Sequence, residues 1–440
     1  MSISSARKAA YSILLAVDRG EGHSDELLRD DAVNALSAAD RNLTTTLVMG
    51  VLRWQIRLGE MIRQHLKRPN AKLDAEIRVA LEMGAFQLLY LDRIPAHAAI
   101  DESVELAKHA GHNFAAGMVN AVLRNIARNG PAAMECEATH AYPAWMVERW
   151  QRNFGADAAC AICAYGQQPP QLSVRLIDAN VEEELATAGV NLKRGVLLTA
   201  ARTVVGGDVT QTEAFRAGRV RIQDEGSQLV AEIVAASASA KNGIRVLDAC
   251  AAPGGKTLIL AQRLPEAHIV ACEASPIRHA ALRARLAPLG SRAECWLMDA
   301  STLAEEEAFD LVLVDAPCSG TGTLGRNPEI RHRLREEDLA RQADRQKAIL
   351  HAAVRAVKRD GRVVYSTCSL EPEENERVVA DMIADQISLG ECIKAMRRDG
   401  ILTEAGANDL KNCLTGDGAL RLMPGVLGTD GFFVAMFERV

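Results

Sequence analysis

Two cysteines and one aspartate offer this sequence's plainest chemistry. Asp315-Ala316-Pro317-Cys318-Ser319-Gly320 follows the apolar run Leu311 to Val314, which reads as a buried strand. A carboxylate and a thiol therefore stand three residues apart on one tight turn. Pro317 removes a backbone donor and stiffens that turn, and Gly320 lets the chain pass close to a ligand. Such a turn suits a site that grips a planar ring. Cys368, in Tyr365-Ser366-Thr367-Cys368-Ser369, ends a second apolar strand, Arg362 to Tyr365. A lone cysteine usually packs as a small apolar residue. Two of them at two strand ends need another explanation, and the thiolate is a good nucleophile.

A third strand end carries a loop. Asp248-Ala249-Cys250-Ala251-Ala252-Pro253-Gly254-Gly255-Lys256-Thr257 links the strand Ile244 to Asp248 to a helix from Lys256. Small residues and paired glycines let the backbone approach a ligand, and the helix N-terminus supplies amide donors. Gly255-Lys256-Thr257 matches the tail of a phosphate-binding loop, but the required first glycine falls at Cys250, and no G-x-G-x-x-G fingerprint is present. Glu273 ends the next strand, where an acid can hold ribose hydroxyls, and Asp299 ends the one after, where it could bind an adenine amino group. A glycine loop followed by two acids at successive strand ends suits an adenosine ligand without a phosphate chain.

The elements that must position these residues are strands and helices in alternation beyond Gly243: His268 to Glu273, a helix from Ser275, Ala293 to Met298, Asp310 to Val314, a long helix Glu336 to Lys358, the strand ending at Tyr365, and a helix Pro372 to Ala384. Gly431 to Glu438 reads as a final edge strand. Alternation predicts a doubly wound, mostly parallel sheet with ligands at the carboxyl ends of its strands. Residues 1–135 read as all-α, with three-and-four apolar spacing in Ala9 to Val17, Thr44 to Ile62, Glu76 to Leu91, Ala98 to His109 and Gly117 to Asn129. Residues 140–236 read as a small α/β module: two helices, then strands Gln171 to Ile177, Val196 to Thr199 and Arg219 to Gln223, a helix Val181 to Ala188, and a helix from Asp224 to Ala236. Ser237 to Asn242 is the connector to a domain spanning 237–440.

The chain has 440 residues, 48% hydrophobic and 25% charged, with a net charge of -6. That length predicts two or three domains, and the lack of a long apolar run predicts no membrane span and a cytoplasmic protein. Ten cysteines without regular spacing suggest free thiols. Cys160-x-x-Cys163 has no second pair and no histidine cluster, so it reads as helix packing and no metal is expected. Two stretches reverse the acidic balance: Arg326 to Asp360 carries ten Lys/Arg against six Asp/Glu, and Met49 to Arg78 seven against three. Each is either a solvated helix face or a nucleic-acid footprint.

Asp248 to Thr257, Asp315 to Gly320 and Thr367-Cys368-Ser369 together resemble the RNA cytosine-5 methyltransferases. Gly50-Val51-Leu52-Arg53, Arg93-Ile94-Pro95-Ala96-His97-Ala98-Ala99 and Val119 to Arg124 resemble a NusB-like domain. With Gln223-Asp224-Glu225-Gly226-Ser227, that pairing is similar to the RsmB (Sun/Fmu) family of 16S rRNA methyltransferases over nearly the whole chain. The resemblance implies a Rossmann-like class I S-adenosyl-L-methionine methyltransferase domain, preceded by an RNA-binding NusB-like domain and a small α/β module. It implies Cys368 as nucleophile, Cys318 as the group that helps release product, and Asp315 as a contact to target ring and cofactor; Lys256, as a cation, suits either favouring the thiolate or orienting the base. Cys250, Ala251, Ala252, Pro253, Gly254, Gly255, Lys256, Glu273, Asp299 and Asp315 would line the cofactor site. Relatives often have Asp at the position of Glu273, and often follow the segment Asn327 to Arg331, an RNA-side contact, with Trp where His332 stands here.

Cytosine chemistry accounts for these residue types. C5 attacks a methyl sulfonium poorly until a thiolate adds to C6. The base must also leave its stack, which favours loops over duplex and calls on basic segments for phosphate contacts. The expected partner is 16S rRNA, with no obligate protein partner, and nothing demands more than a monomer. A tRNA cytosine-5 methyltransferase shares the motifs and differs in the NusB-like extension. DNA enzymes attack through the cysteine of their Pro-Cys motif, which leaves Cys368 without a role. A non-catalytic antitermination or assembly factor would not need Cys318, Cys368 and the cofactor residues.

Overall fold

The computed structural model describes residues 3–129, 138–178, 180–238, 243–382 and 384–439. The sequence-based boundary at 135–140 falls partly on 130–137, and the connector Ser237 to Asn242 mostly on 239–242, outside the described residues. By its contacts the chain divides into one unit of Met1–Pro169 with Leu324–Arg333 and another of Pro170–Thr323 with Leu334–Val440.

The first unit is helical where the three-and-four spacing predicts: Ser5–Arg19, Ala38–His65, Ala75–Tyr90, Ala96–His109 and Ala116–Asn129. Ser37 caps the longest by accepting from the Asp40 amide at 3.1 Å. Leu47, Val51, Leu58, Met83 and Leu123 are buried in its core. Gly50 makes the packing possible, because a Cβ there would lie 1.9 Å from Phe86 Cζ. The helices Ala144–Phe154 and Ala156–Gln167 also lie in this unit.

Leu324–Arg333 is held to these helices by buried polar contacts. Arg331, 1% exposed, donates through Nη1 to the carbonyls of Arg53 (3.1 Å) and Ala141 (3.2 Å), and through Nη2 to Tyr142 Oη (3.3 Å). Its guanidinium lies 4.0 Å above the Tyr142 ring. Glu329 accepts from the Ser24 amide (3.0 Å) and hydroxyl (2.9 Å), and Arg333 donates to the Val17 and Gly22 carbonyls. His332 Nε2 is 2.8 Å from the Leu52 carbonyl. Arg331 and Arg333 are therefore internal anchors, and the basic stretch from Arg326 to Asp360 is not one solvated face.

In the second unit, strands β1 (Leu172–Leu176), β2 (Asn191–Arg194), β3 (Ala201–Gly206) and β4 (Val220–Ile222) form an antiparallel sheet in the order β2-β3-β1-β4. Val196 to Thr199, expected as a strand, is a loop: the Glu225 carboxylate takes the amides of Val196, Leu197 and Leu198 at 3.0, 2.8 and 2.7 Å. Those donors are then lost to a sheet ladder. Glu225 opens the helix Glu225–Ala236, which Asp224 caps through the Gly226 amide.

The larger sheet contains β5 (Arg245–Asp248), β6 (His268–Glu273), β7 (Ala293–Leu297), β8 (Phe309–Asp315), β9 (Val357–Thr367), β10 (Asp385–Ile387), β11 (Leu420–Leu422) and β12 (Phe432–Glu438). Its order is β10-β12-β9-β8-β5-β6-β7, with β11 paired to β12 and β5 to β9 mutually parallel. Side chains alternate between two cores: Val246, Leu311 and Leu313 face one, and Leu247, Val312 and Val314 the other. Helices cover both faces, so the doubly wound architecture predicted from alternation is the one found.

Two expectations are corrected. The last strand is not an edge: β12 pairs antiparallel with β9 on one side and β10 on the other, and its apolar run is buried throughout. The helix expected over Pro372 to Ala384 is reduced to Glu376–Val379, and Ile383 lies outside the described residues. Asn375 has non-helical φ/ψ (-116°, -98°), and its side chain donates to the Ser369 carbonyl at 2.9 Å and accepts from Thr367 Oγ1 at 2.5 Å. These bonds to the Cys368 turn take the place of a first helical turn. No helix among the described residues is long and apolar enough to cross a membrane.

Candidate active site

The parallel strands end together and deliver the singled-out residues to one edge. Asp248 closes β5, Glu273 β6 and Asp315 β8, while Asp299 stands two residues beyond β7 and Cys368 follows β9 directly. The loop after β5 is held by the Ala251 amide, which donates to the Cys272 carbonyl at 2.8 Å, and contains a cis Ala252-Pro253 bond. Gly254 (φ 95°) makes the left-handed turn into the helix Gly255–Arg263. Asp248 is buried and accepts from Thr257 Oγ1 at 2.7 Å. Burial pushes its carboxyl up to about 6, and its Oδ1 has no partner.

Two cavities lie on this edge and share Cys250, Ala252 and Asp315. The larger, about 240 Å³, is lined also by Glu273, Asp299, Cys318 and Cys368. Glu273 accepts from the Ser275 amide at 2.8 Å, and Arg278 stands 3.6 Å from its second oxygen. The Ser301 amide and hydroxyl bond Asp299 at 3.0 and 2.8 Å and hold its carboxyl below its ordinary value. The smaller, about 120 Å³, is lined by Ala251, Pro253, Gly255 and Lys256, with Gln223 and Arg285. Gly254 lines neither and serves the turn. The residues expected at one cofactor site therefore divide between two neighbouring spaces.

Asp315 stands where the two spaces meet. Its Oδ2 accepts from Lys256 Nζ at 2.6 Å and its Oδ1 from Ser366 Oγ at 2.7 Å. Burial works against the Lys256 ammonium, but the Asp315 charge and hydrogen bond outweigh it and raise Lys256 above its ordinary value. The two thiols also meet: Cys318 Sγ is 3.4 Å from Cys368 Sγ. The hydrogen bond to Cys368, then burial, raise Cys318 well above the ordinary thiol range. Either sulfur can be the donor in that contact.

Glu374, absent from the sequence reading, joins the two thiol-bearing turns. Its carboxylate accepts from the Ser319 amide at 2.8 Å, from the Ser319 and Ser369 hydroxyls, and from Gln346 Nε2 at 3.0 Å. Gln346 also donates to the Pro317 carbonyl at 2.9 Å. Glu374 is fully buried, so these bonds compensate its removal from water. The available signal was the run Pro372-Glu373-Glu374-Asn375-Glu376 directly after the second thiol. Among the described residues no cluster of three or more His, Cys, Asp or Glu is arranged to hold a metal ion.

Residues 236–438 match the family model 16S rRNA methyltransferase RsmB/F, and residues 4–128 match the NusB family. The chain is 32% identical to the probable ribosomal RNA small subunit methyltransferase B of Bacillus subtilis (strain 168), covering 100% of both chains. It is 33% identical to ribosomal RNA small subunit methyltransferase B of Sodalis glossinidius, covering 97% of this chain and 96% of that one. A solved methyltransferase homolog protein from Pyrococcus horikoshii is similar at 27% identity and a TM-score of 0.53, over 68% of this chain and 96% of that chain. Similarity that runs from the helical unit through both thiol-bearing turns shows that this chain belongs to the ribosomal RNA small subunit methyltransferase B family.

Proposed function

We propose that the protein methylates C5 of a specific cytosine in 16S rRNA, using S-adenosyl-L-methionine and a transient bond between Cys368 and C6. The observation that carries this reading is the 3.4 Å approach of Cys318 and Cys368 beside Asp315. In this reading residues 1–135 are the RNA-binding domain, 140–236 the linking module and 237–440 the catalytic domain, and the enzyme works in the cytoplasm as a monomer without an obligate protein partner.

The acidic lining of the larger cavity fits the cofactor. Glu273 and Asp299 offer acceptors to ribose hydroxyls and an adenine amino group, and three carboxylates including Asp315 favour a sulfonium and repel a phosphate chain. When bound, S-adenosyl-L-methionine supplies an electrophilic methyl group. Cys250 and Ala252 add to the wall of this cavity, Ala251, Pro253, Gly255 and Lys256 line the space beside it, and Gly254 sets the turn between them and the helix. Cys368 as thiolate adds to C6 and makes C5 nucleophilic. Asp315, oriented by Lys256 and Ser366, accepts from the exocyclic amino group of the ring and shares a proton with N3, carried by the ring or by the carboxyl, where charge changes during addition. Once Cys368 is bonded to carbon its charge is gone, and so is a main reason for Cys318 to stay protonated. Cys318 then ionises more easily and can take the C5 proton while the Cys368–C6 bond breaks.

The test is transfer of labelled methyl from S-adenosyl-L-methionine to 16S rRNA and, in parallel, to bulk tRNA, with the product nucleotide identified. Label in 16S rRNA as 5-methylcytosine is expected. Label in tRNA alone overturns the substrate and keeps the mechanism, and label in neither overturns the catalytic reading.

A further inference from the structure

β8 and β9 lie side by side and run parallel in register up to Asp315 and Ser366. Two turns then leave the sheet, and each carries a thiol to the same space. The Ala316 amide donates to the Ser366 carbonyl and the Gly322 amide to the Cys368 carbonyl, both at 2.8 Å, so the turns are laced together on either side of the sulfurs. Ser319 and Ser369, the residues after the two cysteines, are tied to the one Glu374 carboxylate. This bracing leaves Cys318 Sγ 3.4 Å from Cys368 Sγ. A disulfide needs about 2.05 Å between its sulfurs, so the two side chains have about 1.4 Å left to close. Neighbouring strands about 4.8 Å apart start the two turns within the Cα separation that such a bond spans.

Access is open as well. Both thiols are half-buried and line the 240 Å³ cavity, so a small oxidant reaches them where the substrate would. Cys163, Cys272 and Cys392 are buried, whereas Cys250 lines the same cavity and is a competitor for the bond.

We propose that Cys318 and Cys368 form a peroxide-sensitive modification site, which hydrogen peroxide converts to a disulfide that stops catalysis reversibly. In the first step the Cys368 thiolate attacks one peroxide oxygen. An S–O bond forms, the O–O bond breaks, hydroxide leaves, and the sulfur has given two electrons to the peroxide. In the second step the Cys318 thiol attacks that sulfur. The S–S bond forms, the S–O bond breaks, and the thiol proton leaves with the hydroxyl as water. The bond ties up the nucleophile and the proton acceptor of methylation together. It also spares Cys368, because a sulfenic acid without a neighbouring thiol goes on to a sulfinic acid that thiols do not reduce. The bond follows from the geometry, and only its effect on activity rests on the rRNA-methylation reading.

The experiment treats reduced full-length wild type and Cys318→Ala with hydrogen peroxide, then reads intact mass, N-ethylmaleimide labelling and proteolytic peptides without reductant. Wild type should lose about 2 Da, protect both thiols from the label, and yield the Cys318 and Cys368 peptides joined to each other. Methyl transfer to 16S rRNA should fall in proportion to the joined fraction and return to its starting rate with dithiothreitol. In Cys318→Ala, Cys368 should instead gain about 32 Da as sulfinic acid, which dithiothreitol leaves in place. Cys368 that reaches sulfinic acid equally fast in wild type and variant, or that joins Cys250 instead of Cys318, overturns the proposal. A wild type that forms the bond but never methylates the rRNA when reduced overturns the methylation reading and leaves the modification site standing.

Discussion

Cys318 Sγ and Cys368 Sγ lie 3.4 Å apart although 50 residues separate them in the chain. The contact, with burial, raises Cys318 above the ordinary thiol range. It also makes the division of labour testable. Cys368→Ala should abolish methyl transfer with the urea midpoint nearly unchanged, since the replacement is small. Cys318→Ala should instead accumulate protein bonded to RNA, visible as a slow band on denaturing gels. An adduct formed by Cys368→Ala would exchange the roles.

Glu374 should matter through position, because it touches the turns and not the cavity. Glu374→Ala leaves the Ser319 amide, two serine hydroxyls and Gln346 Nε2 short of an acceptor in a buried site. The expected cost is about 3 kcal/mol of stability, with kcat falling at least tenfold and affinity for S-adenosyl-L-methionine, read by calorimetry, holding within a few-fold. Equal loss of cofactor affinity would point to general collapse of the edge.

Glu82 gives the helical unit a pH dependence. It is 2% exposed, and burial pushes its carboxyl up to about 7 despite Arg78 Nη1 at 3.1 Å and Gln55 Nε2 at 3.2 Å. The folded protein therefore keeps this proton to about pH 7, while the unfolded chain loses it near the ordinary glutamate value of about 4.3. Between those values the folded state binds more protons, so stability falls as pH rises and levels off above the folded value. Relative to Glu82→Gln, the wild type should lose about 3 kcal/mol between pH 4.5 and 7.5, measured by urea unfolding. A difference that does not vary with pH would show that Glu82 is already ionised in the folded protein at acid pH.

Arg331 should be the costliest single residue of Leu324–Arg333. Arg331→Met removes a buried guanidinium from the Arg53 and Ala141 carbonyls and the Tyr142 hydroxyl, and about 3 kcal/mol of stability should go with it. Thermal unfolding followed by circular dichroism reads this. A variant within 0.5 °C of wild type would show that water replaces those bonds at little cost.

Periodicity and strand-end motifs made much of this protein legible before folding. Three-and-four spacing marked the helices from Ser5 to Asn129, and alternation marked the parallel sheet, because both follow from which local face must be buried. Asp248, Glu273, Asp315 and Cys368 could be placed at one edge because parallel strands end on the same side. Tertiary structure decided the rest, wherever a partner distant in sequence took a local donor. Glu225 claimed the amides of Val196 to Leu198 and prevented a strand, and Asn375 gave its side chain to the Cys368 turn and shortened a helix. Pairing on both sides moved β12 from the edge to the interior. The 3.4 Å sulfur contact and the Glu374 link share that origin. Each is a long-range distance, and only closing the chain around its cores sets such distances.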